Sequence, residues 1–175
     1  MDALQDFYIP FVGLKLGKHN FSYHIDDKFF DEFQYEDFNS IECDVKVTFN
    51  KKPRLFELDF DITGFAMVNC DLSFEEYKEK IDTQLRLIVK FGNEYNDENE
   101  EVLILPHSEY QVNIAQYIYE AIVLALPLKR VHPGIEDGTL KSEVLDKLKE
   151  FEIRESKQTD PRWDKLNELL TQKKQ

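Results

Sequence analysis

IECDVKVTFNKKPRLFELDFDI, residues 41–62, is the stretch that decides the fold. Ile41, Cys43, Val45, Val47 and Phe49 alternate with Glu42, Asp44, Lys46 and Thr48. After a turn over Asn50, Lys51, Lys52 and Pro53, Phe56, Leu58, Phe60 and Ile62 alternate with Glu57, Asp59 and Asp61. A period of two sends one set of side chains inward and the other to water, as in a half-buried antiparallel hairpin. Upstream, Phe7, Ile9, Phe11, Leu14 and Leu16 predict an opening strand bent near Pro10 and Gly13. Phe21, Tyr23 and Ile25 predict a second strand, and residues 26–33 a short helix turning Phe29, Phe30 and Phe33 inward.

Downstream of the hairpin, Gly64 reads as a bend or bulge before a strand over residues 65–68. Ser73 followed by Glu75 and Glu76 suits a helix start, since a Ser can cap and a nearby Glu can reach back. Leu85, Leu87, Val89 and Phe91 alternate again. Residues 92–101 read as a loop carrying Glu94, Asp97, Glu98, Glu100 and Glu101 and no base, and residues 102–105 as a short strand.

The sheet needs something to pack on, and VNIAQYIYEAIVLALPLKRVHP, residues 112–133, supplies it. Val112, Ala115, Ile118, Tyr119, Ile122, Ala125 and Leu126 recur at helical spacing, and Glu120 is the only charge between Glu109 and Lys129. That predicts a helix buried on most sides, capped near Ser108 and ended by Pro127, which has no backbone N–H to donate. Beyond residue 135 the pattern loosens. Leu140, Val144, Leu148 and Phe151 share one stripe of an amphipathic helix, residues 152–159 read as a polar linker, and Asp160-Pro161-Arg162-Trp163 starts a last helix. The expectation is therefore an α+β core domain over residues 1–135, a mainly antiparallel, curved sheet packed on one long buried helix. A helical, partly linker-like C-terminal extension covers residues 136–175.

Charge narrows the partners. Residues 1–135 hold 25 acids against 13 bases, net −12, while residues 136–175 hold 10 against 9. Such a body repels phosphate backbones and attracts basic proteins, so RNA contact would need a local patch. Lys129, Arg130 and His132, just past the main helix, are that patch; the alternative is ordinary solvated charge. The acids Glu94, Asp97, Glu98, Glu100 and Glu101 read either as a docking loop for a basic protein or as a solvated connection. Asp160, Arg162 and Trp163 open a capped helix with a narrow apolar stripe, which reads equally as a docking peptide or as a segment packed on its own domain.

Catalytic and metal patterns are sparse. Cys43 and Cys70 stand 27 residues apart, and His19, His24, His107 and His132 form no ligand pair at standard spacing, so no metal or cofactor is expected. Cys43, on the inward side of a strand, reads as a buried structural thiol. His107, Ser108 and Glu109 are neighbours in sequence only, and no G-x-S-x-G, Walker or G-x-G-x-x-G motif occurs. The first residues lack the basic and apolar regions of a signal peptide, and no apolar run approaches the roughly 18–20 residues needed to span a bilayer. The expected compartment is the cytoplasm, with no membrane partner.

Several stretches together resemble the YceD family, named for large ribosomal RNA accumulation. They are Gly64 with Cys70-Asp71-Leu72-Ser73, residues 119–127 with His132, and Asp160-Pro161-Arg162-Trp163 with Leu166. The longer N-terminal part resembles the version found in Bacteroidetes-type bacteria. The family commonly carries a second cysteine where this chain has Ser73, so no role for a cysteine pair carries over. The resemblance implies a non-enzymatic factor for assembly of the large ribosomal subunit, with a subunit precursor or a basic ribosomal protein as partner and no catalytic residues. Two other classes compete with it: an enzyme or small-ligand binder acting on RNA or nucleotides, and an acidic interaction module with no ribosomal role.

Overall fold

The computed structural model describes residues 4–99, 101–140 and 143–155. A 3-10 turn (Gln5–Phe7) leads into β1 (Tyr8–Pro10) and β2 (Gly17–Ile25), and α1 (Asp27–Asp31) precedes three long strands, β3 (Ser40–Lys51), β4 (Leu55–Asn69) and β5 (Glu76–Gly92). Next come β6 (Asn96–Asn99), β7 (Val102–Pro106), β8 (Gln111–Asn113), α2 (Ala115–Ala125), α3 (Pro133–Glu136) and α4 (Glu143–Glu155). They belong to two compact units: Met1–Asn69 with Glu76–Arg130, and Cys70–Glu75 with Val131–Gln175.

The first unit carries a six-stranded sheet in the order β2-β3-β4-β5-β7-β6, and a separate pair, β1 with β8. Strand pairing is antiparallel except between β5 and β7, which run parallel, so the sheet is mixed. The alternation in residues 41–62 does what its period requires. Ile41, Cys43, Val45, Val47 and Phe49 are buried with Phe56, Leu58, Phe60 and Ile62, while Glu42, Asp44, Asp59 and Asp61 face water. The short helix α1 also follows its pattern, burying Phe29 and Phe30.

Four expectations are corrected. The register between β3 and β4 runs unbroken from Ser40 opposite Met67 to Lys51 opposite Phe56, so Gly64 is not a bulge. It occupies an inward position directly across from Cys43, and the Cys43 thiol fills the space its missing side chain leaves. Residues 73–76 start no helix. Phe74 takes a left-handed conformation (φ 60°), its N–H donates to the Cys70 carbonyl at 2.9 Å, and Glu76 opens the longest strand instead. Tyr77, Ile81, Leu87 and Val89 are the buried members of that strand, and its register against β4 settles the matter over local capping. The acidic segment expected as a loop contains β6, paired with β7 at the sheet edge.

The fourth correction concerns the main helix, which is neither long nor buried on most sides. It covers 11 residues, because Ile9 pairs with Val112 and draws residues 111–113 into β8. The side chain of Asn113, rather than Ser108, accepts the Ala115 N–H at 2.8 Å. Ala115, Ile118, Ala121 and Ile122 form the buried stripe, with Leu126 buried just beyond, and the helix lies against β5. In the second unit, Leu145 of α4 is buried, whereas Val144, Leu148 and Phe151 are exposed. That helix runs on to Glu155, into the segment expected as linker.

The buried thiol carries a pH dependence. Burial pushes the Cys43 thiol up to about 11, and burial also pushes up Tyr23, Tyr35, Tyr95 and Tyr117. These groups stay neutral in the fold at pH values where the unfolded chain has begun to ionise. The contribution of the thiol is complete below its unfolded value and is lost as pH rises through about 11. Thermal unfolding followed by circular dichroism is expected to hold steady to about pH 8 and then fall, with Cys43 accounting for up to about 3 kcal/mol. Cys43→Ala should start less stable and decline less steeply over that range. An equal decline in both proteins would remove Cys43 from the account.

Candidate functional site

The acidic edge is built by β6 and its flanks. Between Lys90 and Lys129 the chain has seven acids and neither Lys nor Arg. Glu94, Asp97, Glu98 and Glu101 are exposed, while Glu100 lies outside the described residues. Local hydrogen bonds hold the segment in place: Asn96 accepts from the Glu98 N–H at 3.1 Å, Asn99 from the Glu101 N–H at 3.0 Å, and Tyr95 donates to Asp97 at 3.0 Å. Charge on an edge strand also discourages pairing with a stray strand, so this edge is protected as well as acidic.

The basic patch is not brought together as three equivalent cations. Lys129 is exposed at the end of the first unit. Arg130, with 20% of its side chain exposed, donates to the Asp37 carbonyl at 2.5 Å and lies 3.9 Å from the Asp37 carboxylate. It thereby anchors the segment after α1, where Tyr35 and Phe38 pack with each other and with Phe30 of α1, and Phe30, Phe33 and Tyr35 pack on Tyr119. His132, in the second unit, is half-buried; its Nδ1 accepts the Gly134 N–H at 2.9 Å and caps α3. That acceptor role places its ring proton on Nε2. Asp160, Arg162 and Trp163 lie outside the described residues.

Sequence reasoning missed the sulfur site of the second unit. Cys70 accepts the N–H groups of Leu72 at 3.4 Å, Ser73 at 3.5 Å and His132 at 3.3 Å. Burial pushes the Cys70 thiol up, but hydrogen bonds from the Ser73 side chain and from those backbone N–H groups outweigh it and hold the thiol below its ordinary value. Ser73 is buried beside this sulfur, and its Oγ accepts the Glu75 N–H at 3.4 Å. The clue available in the sequence was the three-residue spacing of Cys70 and Ser73. His107 stacks on Phe91 at 5.9 Å, and Ser108 and Glu109 are exposed in the following turn.

Among the described residues no helix is long and apolar enough to cross a membrane, and no group of three His, Cys, Asp or Glu side chains is placed to hold a metal ion. Comparison with curated proteins and with solved structures returned no match. The family model for the large ribosomal RNA subunit accumulation protein YceD matches residues 58–170, which run from within β4 through α4 and take in the acidic edge, the Cys70 turn and the segment from Lys129 to His132. The chain belongs to the YceD family.

Proposed function

We propose that the protein is a non-enzymatic, cytoplasmic factor that supports assembly of the large ribosomal subunit and accumulation of its 23S RNA. It does so by binding a basic ribosomal protein, free or on a subunit precursor. The family match supplies the ribosomal context. The observation that carries the mechanism is the acidic edge, with seven acids and no Lys or Arg over residues 91–128 and four of those acids exposed in and around β6. That field favours a cationic protein over a phosphate backbone. Arg130 and His132 are engaged within the protein, which leaves Lys129 as the exposed cation of that patch.

The test is a tagged pull-down from cell lysate, split and treated with or without ribonuclease, with Lys129→Glu run in parallel. Basic large-subunit proteins are expected to survive ribonuclease with both proteins. Loss of every partner on ribonuclease treatment, together with weaker capture by Lys129→Glu, would transfer the interaction to RNA. Recovery of neither ribosomal protein nor RNA would reject the ribosomal mechanism.

A further inference from the structure

Beside the acidic edge, α2 turns a second stripe outward. Gln116, Glu120, Val123 and Leu124 lie on the side opposite the buried stripe, and Leu124 is 83% exposed. Their neighbours Leu85 of β5, Asp97 of β6 and Tyr117 complete a groove of about 470 Å³. The floor is apolar and the rim is acidic. Glu120 is held in place by a 2.8 Å hydrogen bond from Gln116, and Asp97 by the hydroxyl of Tyr95. Burial pushes the Tyr117 hydroxyl up, with Tyr95, Asp97 and Glu120 adding to the effect.

A single exposed leucine is ordinary on a protein surface; an exposed leucine over a concavity with fixed acids at its rim is not. The rim excludes a nucleic acid or an acidic peptide, and the apolar floor leaves a purely ionic partner underused. We propose that this groove docks an amphipathic, basic segment of a partner protein, its apolar side chains over Leu85, Val123 and Leu124 and its Lys or Arg flanks against Asp97 and Glu120. The proposal rests on the reading that the acidic body binds a basic protein, and it supplies the address.

Two dye-labelled synthetic peptides of equal Lys content test it, one with leucines at helical three-to-four spacing and one with the same residues scrambled. A third peptide replaces every Lys with Glu. Fluorescence anisotropy against the full chain is expected to show binding of the amphipathic Lys peptide and at least about tenfold weaker binding of the other two. Leu124→Arg and Glu120→Arg should each weaken the amphipathic peptide by about tenfold, while Glu36→Arg, at an exposed acid elsewhere, should change it by less than about twofold. Equal binding of the amphipathic and scrambled peptides, or equal losses in all three variants, would overturn the groove while leaving the acidic-body reading intact. No binding of either Lys peptide at low salt would overturn both. Self-association of the wild type that Leu124→Arg abolishes would give the groove to a second copy of the chain and overturn the proposal.

Discussion

Gly64→Ala is expected to lower the melting temperature by about 10 °C. A methyl group on Gly64 would lie 2.6 Å from both the Cys43 Cα and Sγ and would collide with the Glu42 carbonyl oxygen. The thiol could rotate away, but the backbone of β3 is held by paired residues on both sides and cannot. Overpacking inside a core typically costs 1–3 kcal/mol, and here the obstruction is main chain at the centre of the sheet, so a loss of about 4 kcal/mol is expected. Circular dichroism and thermal melting report it. A double variant, Gly64→Ala with Cys43→Ala, removes the sulfur and should recover only part of the loss, because the backbone contact remains. If Gly64→Ala melts within about 2 °C of the parent, the close approach of β3 and β4 at this position is wrong.

Phe30→Ala should cost about 4 kcal/mol, or about 10 °C of melting temperature in a chain of this size. Phe30 is 1% exposed and meets the rings of Phe29, Tyr35, Phe38 and Tyr119 at centroid distances of 5.4, 5.9, 4.8 and 5.6 Å. Removing its ring leaves a cavity bounded by four aromatic neighbours that are themselves held elsewhere, so the site has little freedom to collapse. Phe33→Ala removes one stacked partner of Tyr119, at 4.3 Å and an interplanar angle of 9°, from a half-buried position, and should cost less than half as much. Equal losses for the two variants would mean that stacking on Tyr119, rather than burial of Phe30, holds this segment.

What the sequence made legible, and what it did not, follows from how far each signal reaches. Alternation in residues 41–62 is a statement about one face of a strand, and burial of Val45, Val47, Leu58 and Phe60 satisfied it directly. Helical spacing in residues 112–126 was equally regular, yet Val112 satisfies both a helix and a strand, and its partner Ile9 lies about a hundred residues away. Local capping chemistry at Ser73 suits a helix start but serves a turn, because the pairing that fixes Glu76 in a strand is also non-local. The candidate site suffered in the same way. Lys129, Arg130 and His132 look alike in a string of letters, and only the positions of Asp37 and Gly134 separate an exposed cation from two groups occupied within the fold. The acidity of residues 91–128 was legible; the groove beside it was not, since Leu85 and Leu124 come from elements that nothing in the sequence places side by side.

The turn between β4 and β5 has a consequence for anyone who cuts this gene. Residues 70–75 group with the chain from Val131 onward, although the strands on either side of them group with the sheet. The polypeptide therefore crosses from one unit to the other three times, and no single stop codon separates them. A truncation after Arg130 would delete most of the second unit but keep its first six residues, with the Cys70 sulfur stripped of the His132 N–H. Whatever such a shortened protein failed to do, the missing tail could not be blamed alone. Removing the second unit cleanly calls for two edits, one at residue 130 and one that replaces the turn between the strands.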